Sequence, residues 1–237
     1  MTTIIALDSL QHQHFKLDED IKLLHAQERH IVPIEINEFA SAAMSLPIAF
    51  VKDSGTGQFR ACVITGLKPG QSLVCSDKGW QASYLPQALF NYPLMAVKSA
   101  SEKDDFFIAV DAASHLFNEH SGRALFAGDN ATDYLRQRAQ SAVQLAKNGE
   151  LTQEFIARLI KLDLLVAKTL SLTPDDSEPY ELTGFYVINE QRLAQLEDEQ
   201  WLSLRKSNYL LAVNAVLMSM HQMPLLLARM QLKERVC

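Results

Sequence analysis

The side chains that could do chemistry are present but poorly spaced for it. His12 and His14 flank a glutamine near the start, His25 and His30 bracket Glu28, and His115 and His120 bracket Glu119. Two imidazoles share a helical face three or four residues apart, not five, and no HExxH or Cys/His quartet occurs. No metal is expected. The His-Gln-His stretch reads as exposed, solvent-titrating histidine, and His30 as a structural histidine ahead of a strand. Cys62, Cys75 and Cys237 are odd in number and fit no metal spacing. Asp77 beside Cys75 would raise a thiol pKa, so a buried, inert, reduced cysteine is expected. There is no GxSxG nucleophile elbow; Ser54-Gly55 and Ser121-Gly122 read as turns. SGTG at 54–57 lacks the lysine and the helix of a phosphate loop, and GxGxxG is absent. Glu35 and Glu38 share a face only if a helix begins early enough, and paired carboxylates alone do not specify acid/base work. No catalytic residue and no cofactor is expected.

The densest specific feature is aromatic. GWQASYLPQALFNYPLMAV, 79–97, holds Trp80, Tyr84, Phe90 and Tyr92 with Pro86 and Pro93. These rings supply large, rigid contact area and could line a pocket or a partner surface, with Glu35 as a polar neighbour. They could instead close the open end of a small sheet, the prolines setting the path of the loop. Composition favours the closing role, because buried aromatics are commoner than exposed hot spots.

The elements that must position these residues divide the chain by period. IVPIEI (31–36) and LPIAFV (46–51) are apolar runs around a helical piece, NEFASAAMS, with Asn37 as its cap. DSGTG (53–57) reads as a hairpin turn with Gly55 and Gly57 at positive φ, joining IAFV to FRACVITGL. Further turns at 68–70 and 76–79 flank a short strand, QSLVC. FFIAVD (106–111) follows the charged loop SEKDD. Residues 30–111 are thus expected to form one strand meander, as a small antiparallel sheet or partly open barrel.

After residue 111 the period changes: the chain reads as loop until Thr132 and as helix from there. Thr132 has cap chemistry, and apolar residues at 134, 135, 139, 142, 143, 145 and 146 predict a helix ending near Asn148-Gly149. Thr152 is expected to cap the next helix, running to Pro174, before a short linker at 174–179. The second half then has one strong strand signal, LTGFYVI (182–188). It is expected to return to the N-terminal sheet, because an isolated strand cannot satisfy its backbone. Asn189 and a residue near Glu197 begin two helices. The last segment, apolar around much of its circumference, is expected to be central with a bend at Pro224. The expectation is one α+β domain over 1–237, strand-rich to 111 and helix-rich from 112 to 237.

Composition narrows the function classes. Of 237 residues, 48% are apolar and 21% charged, values of a globular chain, and the net charge of −6 opposes nucleic-acid binding. The start lacks the basic n-region of a secretory signal. The most apolar stretch, 209–228, carries Asn214, His221, Gln222 and Pro224, so a buried helix pair is expected rather than a transmembrane span. A cytoplasmic location follows as the expectation. That segment also offers more apolar surface than one helix face needs, so a homo-oligomer is expected to be open to it.

Ordered motifs along the chain resemble the SapC family of bacterial proteins. HIVPIEINEF (30–39), PIAF (47–50) and GLKPG (66–70) are similar to its opening elements, and GWQASYLP (79–86) places Gly79, Trp80, Tyr84 and Pro86 at matching positions. FNYPL departs from the family's Arg-x-Tyr-Pro-Phe, with Phe90 and Leu94 in place of the arginine and the phenylalanine. ALFAGDNATDYL (124–135), LTGFYVINEQRL and LRKSNYLLAV continue the match, the last with Asn208 where glycine is usual. Asn also adopts positive φ.

The family's name implies an association with bacterial surface layers, and some members carry a permease label, which would demand a span not expected here. Members are encoded near TonB-dependent receptors and tryptophan-halogenase-like flavoproteins, which implies an accessory or regulator of nutrient uptake. The leading expectation is therefore a non-catalytic protein that binds a protein partner or small ligand through Trp80, Tyr84, Phe90, Tyr92 and Glu35. The rivals are an enzyme with Glu35 and Glu38 beside the aromatics, and a surface-layer component.

Overall fold

The computed structural model describes residues 3–20, 22–99, 105–172 and 180–236. The linker at 174–179 and all of the charged loop except Asp105 lie outside these residues. Contacts gather into two compact units, each built from two stretches of chain: Leu23–Pro86 with Gly149–Cys237, and Met1–Lys22 with Gln87–Asn148.

The larger unit is organised on an open, antiparallel five-stranded sheet. Its order is Leu165–Leu172, Tyr180–Ile188, Ile48–Lys52, Phe59–Ile64, Ile31–Pro33. The expected hairpin is present, with Ile48 opposite Val63 and Lys52 opposite Phe59. Its turn is wound around Asp53, whose Oδ1 accepts from the Gly55 and Thr56 amides and the Thr56 hydroxyl. Gly57 has positive φ there (72°), and Gly55 does not. The late strand does return to this sheet, setting Phe185 opposite Val51 and Tyr186 opposite Phe50. Against one another in the interior lie Phe39, Phe50 and Phe155, all fully buried, with centroids 5.9–6.5 Å apart. Burial of each contributes roughly 1.5–3 kcal/mol. Gly66 is required by close approach: a Cβ there would overlap the Gln71 carbonyl.

Two expectations in the helical half are corrected. No helix ends at Asn148-Gly149; one helix runs unbroken over Asp133–Lys161. An interior glycine costs about 1 kcal/mol, and the buried Phe155, Ile156 and Leu159 that follow outweigh it. Thr152 sits inside this helix and caps nothing; its hydroxyl is used in a tertiary contact instead. The helix stops at Asp163, which takes a left-handed φ of 56°, while the Leu164 amide bonds back to the Leu159 carbonyl at 2.9 Å. Residues 165–172, expected as helix, are an edge strand pairing Leu165 with Ile188. Among the described residues after the long helix there are thus two strands, where one was expected, and four two-residue strands (Phe117–Asn118, Arg123–Ala124, Phe126–Ala127 and Asn130–Ala131) precede it in the stretch read as loop.

The closing helices follow their local signals. Asn189 accepts from the Arg192 amide, Glu197 occupies the cap of Asp198–Lys206, and Asn208 takes positive φ (58°) before Leu210–Ser219. Leu210–Ser219 packs on the strands Ile48–Lys52 and Tyr180–Ile188 and on the short helix Phe39–Ala42. A 3-10 turn, Met220–Gln222, precedes the helix Met223–Val236. The expected interruption is therefore present just ahead of Pro224. By length and composition alone, Leu210–Lys233 is apolar enough to cross a membrane.

The smaller unit corrects the single meander. Phe106–Asp111 and Leu94–Lys98 do not join the main sheet; they pair with Ile4–Ala6 in a separate antiparallel sheet of order Ile4–Ala6, Phe106–Asp111, Leu94–Lys98. Buried Asp111 holds its end, its carboxylate accepting from the Thr3 and Ala113 amides and the Tyr92 hydroxyl. In the larger unit the strand expected at QSLVC is reduced to Cys75–Ser76, which pairs with Gly79–Trp80 as a hairpin of its own. His12 is buried, not exposed. The Asp8 amide donates to its Nδ1 at 3.0 Å, and its ring packs edge-on against Phe15 and Phe117. His14 is exposed. The long helix starts where Thr132 Oγ1 accepts from the Leu135 amide, as expected.

Candidate functional site

The site of interest begins where strand Ile31–Pro33 ends. Glu35 keeps an extended conformation (φ −106°, ψ 159°) and caps a 3-10 turn, Ile36–Glu38, that leads into Phe39–Ala42. Glu35, not Asn37, therefore starts the helical piece, and Asn37 is exposed. The Glu35 amide donates to Glu38 Oε2 at 2.9 Å, and the Ile36 amide donates to Thr152 Oγ1 at 2.9 Å. Thr152 also hydrogen-bonds the Glu35 side chain. Burial raises the pKa of Glu35, and the charge of Glu38 adds to this, while Thr152 and Arg60 pull it down. Glu38 is 1% exposed.

The aromatic loop meets this turn. The hairpin Cys75–Ser76/Gly79–Trp80 turns at Gly79, whose φ is 95°. Trp80 Nε1 then donates to the Tyr84 carbonyl at 2.8 Å, closing the loop on itself. The Tyr84 hydroxyl donates to Glu38 Oε1 at 2.8 Å. Burial, then the Glu38 contact, holds the Tyr84 phenol well above its ordinary pKa, so it stays protonated. The indole thus ties to the Tyr84 backbone, and the Tyr84 phenol ties through the Glu38 carboxylate to the Glu35 backbone. The three residues expected here (Trp80, Tyr84 and Glu35) are brought together through Glu38.

Phe90 and Tyr92 belong to the other unit, since the aromatic block divides after Pro86. Phe90 sits on the helix Gln87–Asn91, 49% exposed, with the Arg138 guanidinium 5.0 Å from its ring centroid. Tyr92 donates to Asp111 Oδ2 at 3.3 Å and precedes a cis Pro93. Arg138 Nη2 donates to the Asn91 and Tyr92 carbonyls. The departure from the family pattern at position 90 is thus a ring beneath an arginine carried by the long helix. The five residues expected to act as one surface fall into a set of three and a set of two.

Sequence reasoning did not find Asp111, Arg138 or the tertiary role of Thr152. Thr152 carries the chemistry of a cap, and nothing local says that its partner is residue 36. Both described cysteines are buried. Burial pushes the Cys62 thiol up to about 12, and Cys75 Sγ contacts the Leu23 carbonyl at 3.2 Å. Among the described residues no three His, Cys, Asp or Glu side chains are grouped to hold a metal ion.

A comparison with protein-family models matches residues 7–226 to the family described as SapC. No curated protein and no solved structure matches the chain.

Proposed function

We propose, for a chain that belongs to the SapC family, a non-catalytic binding role centred on the Trp80–Tyr84 loop and its Glu35–Glu38 support. One observation carries this reading. The polar atoms that could move protons, the Tyr84 hydroxyl and the Glu38 carboxylate, are joined to each other and to the backbone. What remains for a partner is the half-buried ring surface of Trp80 and Tyr84, beside a half-buried Glu35 whose carboxylate is held by Thr152 and the Glu38 amide. Rigid aromatic anchors beside one polar group are the composition of interface hot spots. The partner is a protein or a small ligand. The setting we propose is cytoplasmic, as an accessory of nutrient uptake of the kind the family resemblance implies.

The test is affinity capture from the native host with the wild-type chain and with Trp80→Ala, compared quantitatively and followed by titration calorimetry on the recovered partner. Trp80→Ala is expected to weaken that partner at least about tenfold, the effect of losing a hot-spot aromatic. Unchanged affinity with an unchanged circular dichroism spectrum would remove the loop from the interface. A second reading, as an acid/base enzyme, has the raised pKa of Glu35 in its favour. It requires Glu35→Gln to abolish turnover of a bound ligand while its affinity persists.

A further inference from the structure

The last helical run carries an exposed seam with a seven-residue period. Leu211, Met218, Leu225 and Leu232 are 68%, 66%, 61% and 63% exposed, each seven residues from the next. Between them, Asn214, His221 and Ala228 are also exposed, completing a 3-4 alternation along one side. The opposite side is buried: Val213, Val216, Ser219, Met223, Leu226 and Met230 face the interior. A straight α-helix drifts by about 20° per heptad, so about 60° over the three heptads from 211 to 232. The 3-10 turn Met220–Gln222 winds tighter, by about 20° per residue, and restores about 60° over its three residues. The seam therefore runs straight along the helix axis.

We infer that this seam is a self-association surface, covered by the same seam of a second copy of this chain. A membrane surface would favour a wide apolar arc bordered by Lys and Arg. Here the stripe is one side chain wide and is interrupted by Asn214 and His221, and Arg229 and Lys233 are the cations within 210–233. A repeat of seven with apolar residues at one position and a polar residue at two of the three places of the other (Asn214 and His221, then Ala228) is a pattern by which two helices register. An identical stripe is self-complementary, setting apolar against apolar positions as a two-fold pair requires. The area suffices: the four two-thirds-exposed Leu and Met side chains offer on the order of 100 Å² each, about 400 Å² together, and the exposed Asn214, His221 and Ala228 add about 200 Å², so the stripe gives about 600 Å² per copy and a pair about 1,200 Å², the lower bound of a specific interface.

The experiment is light scattering after size exclusion on the full chain, with Met218→Glu/Leu225→Glu, Leu232→Glu and the off-seam control Leu202→Glu. The wild type and Leu202→Glu are expected at twice the 26.6 kDa chain mass. The double variant should be monomeric with an unchanged circular dichroism spectrum, its dimer weakened at least about tenfold. Should the double variant not fold, Leu232→Glu, near the end of the helix Met223–Val236, is expected to weaken the dimer alone. A wild type that is monomeric at about 100 μM, or a dimer indifferent to the seam variants, overturns the inference. So does a monomer that co-sediments with phosphatidylglycerol vesicles through the same residues. The inference is independent of the loop: Trp80→Ala should leave the mass unchanged.

Discussion

Removing one oxygen tests how the candidate site is held. In Tyr84→Phe the ring stays and the donor to Glu38 Oε1 is lost, from a bond of 2.8 Å to a carboxylate that is 1% exposed. Hydrogen bonds to charged groups contribute about 1.5–3 kcal/mol when buried. Tyr84 itself is only half-buried, so water can replace part of the bond, and the expected loss is about 1–2 kcal/mol. In a chain of this size that lowers the Tm by roughly 2–8 °C. The assay is urea and thermal unfolding, repeated with Glu38→Gln and with both changes together. The pair should be non-additive by about 1 kcal/mol. A Trp201→Phe background leaves Trp80 as the sole indole, and its emission should move to the red as the loop loosens. A loss below about 0.3 kcal/mol, additive with Glu38→Gln, would refute the claim that the phenol–carboxylate bond anchors the loop.

Two further outcomes follow from single groups. Glu35 has a folded-state pKa above its unfolded value, because burial disfavours the charged form. Its ionisation therefore opposes folding above that pKa and is without effect below the ordinary carboxylate range, where both states are protonated. Glu35→Gln should thus raise the Tm near neutral pH, the gain shrinking as pH falls toward about 4; a gain independent of pH would show that charge is not the cause. Ser219 is fully buried, accepts from the Ile48 amide at 2.8 Å and donates to the Val216 carbonyl at 2.6 Å. Ser219→Ala strips a buried strand amide of this acceptor and should cost about 1–3 kcal/mol in urea unfolding, against near zero for an exposed serine.

What the sequence made legible was chemistry that acts within a few residues. The Asp53 turn and the Thr132 and Asn189 caps follow from side chains that satisfy their own neighbours' amides, and the left-handed Asn208 from a residue type that adopts positive φ. The late strand was legible for a different reason: its backbone had to be paired somewhere, and the sheet was the available place. The misplaced elements share one cause. Asn148-Gly149 and Thr152 are a helix stop and a helix start by local preference, yet buried residues on both sides of them make continuity cheaper than a break. Strand Leu165–Leu172 has a partner in Tyr180–Ile188 that its own periodicity does not name. The sheet of the smaller unit fails in the same way, since Ile4 meets Asp111 across most of the first half of the chain.

The candidate site shows why its residues could be picked out but not assembled. Trp80, Tyr84 and Glu35 stand out by type, and the contacts that join them cross 46 positions from Tyr84 to Glu38 and 116 from Ile36 to Thr152. No local pattern carries such separations. Phe90 and Tyr92, close to Trp80 in sequence, belong to another unit. The block is thus two devices laid end to end. One is a loop closed by its own indole and tied to a buried carboxylate. The other is a short helix whose carbonyls and ring are held by Arg138. Binding and core closure, opposed as readings of the sequence, are compatible at Trp80 and Tyr84, because the polar ends fix the loop and leave part of the rings outward. A loop held this way loses little conformational entropy when a partner covers it.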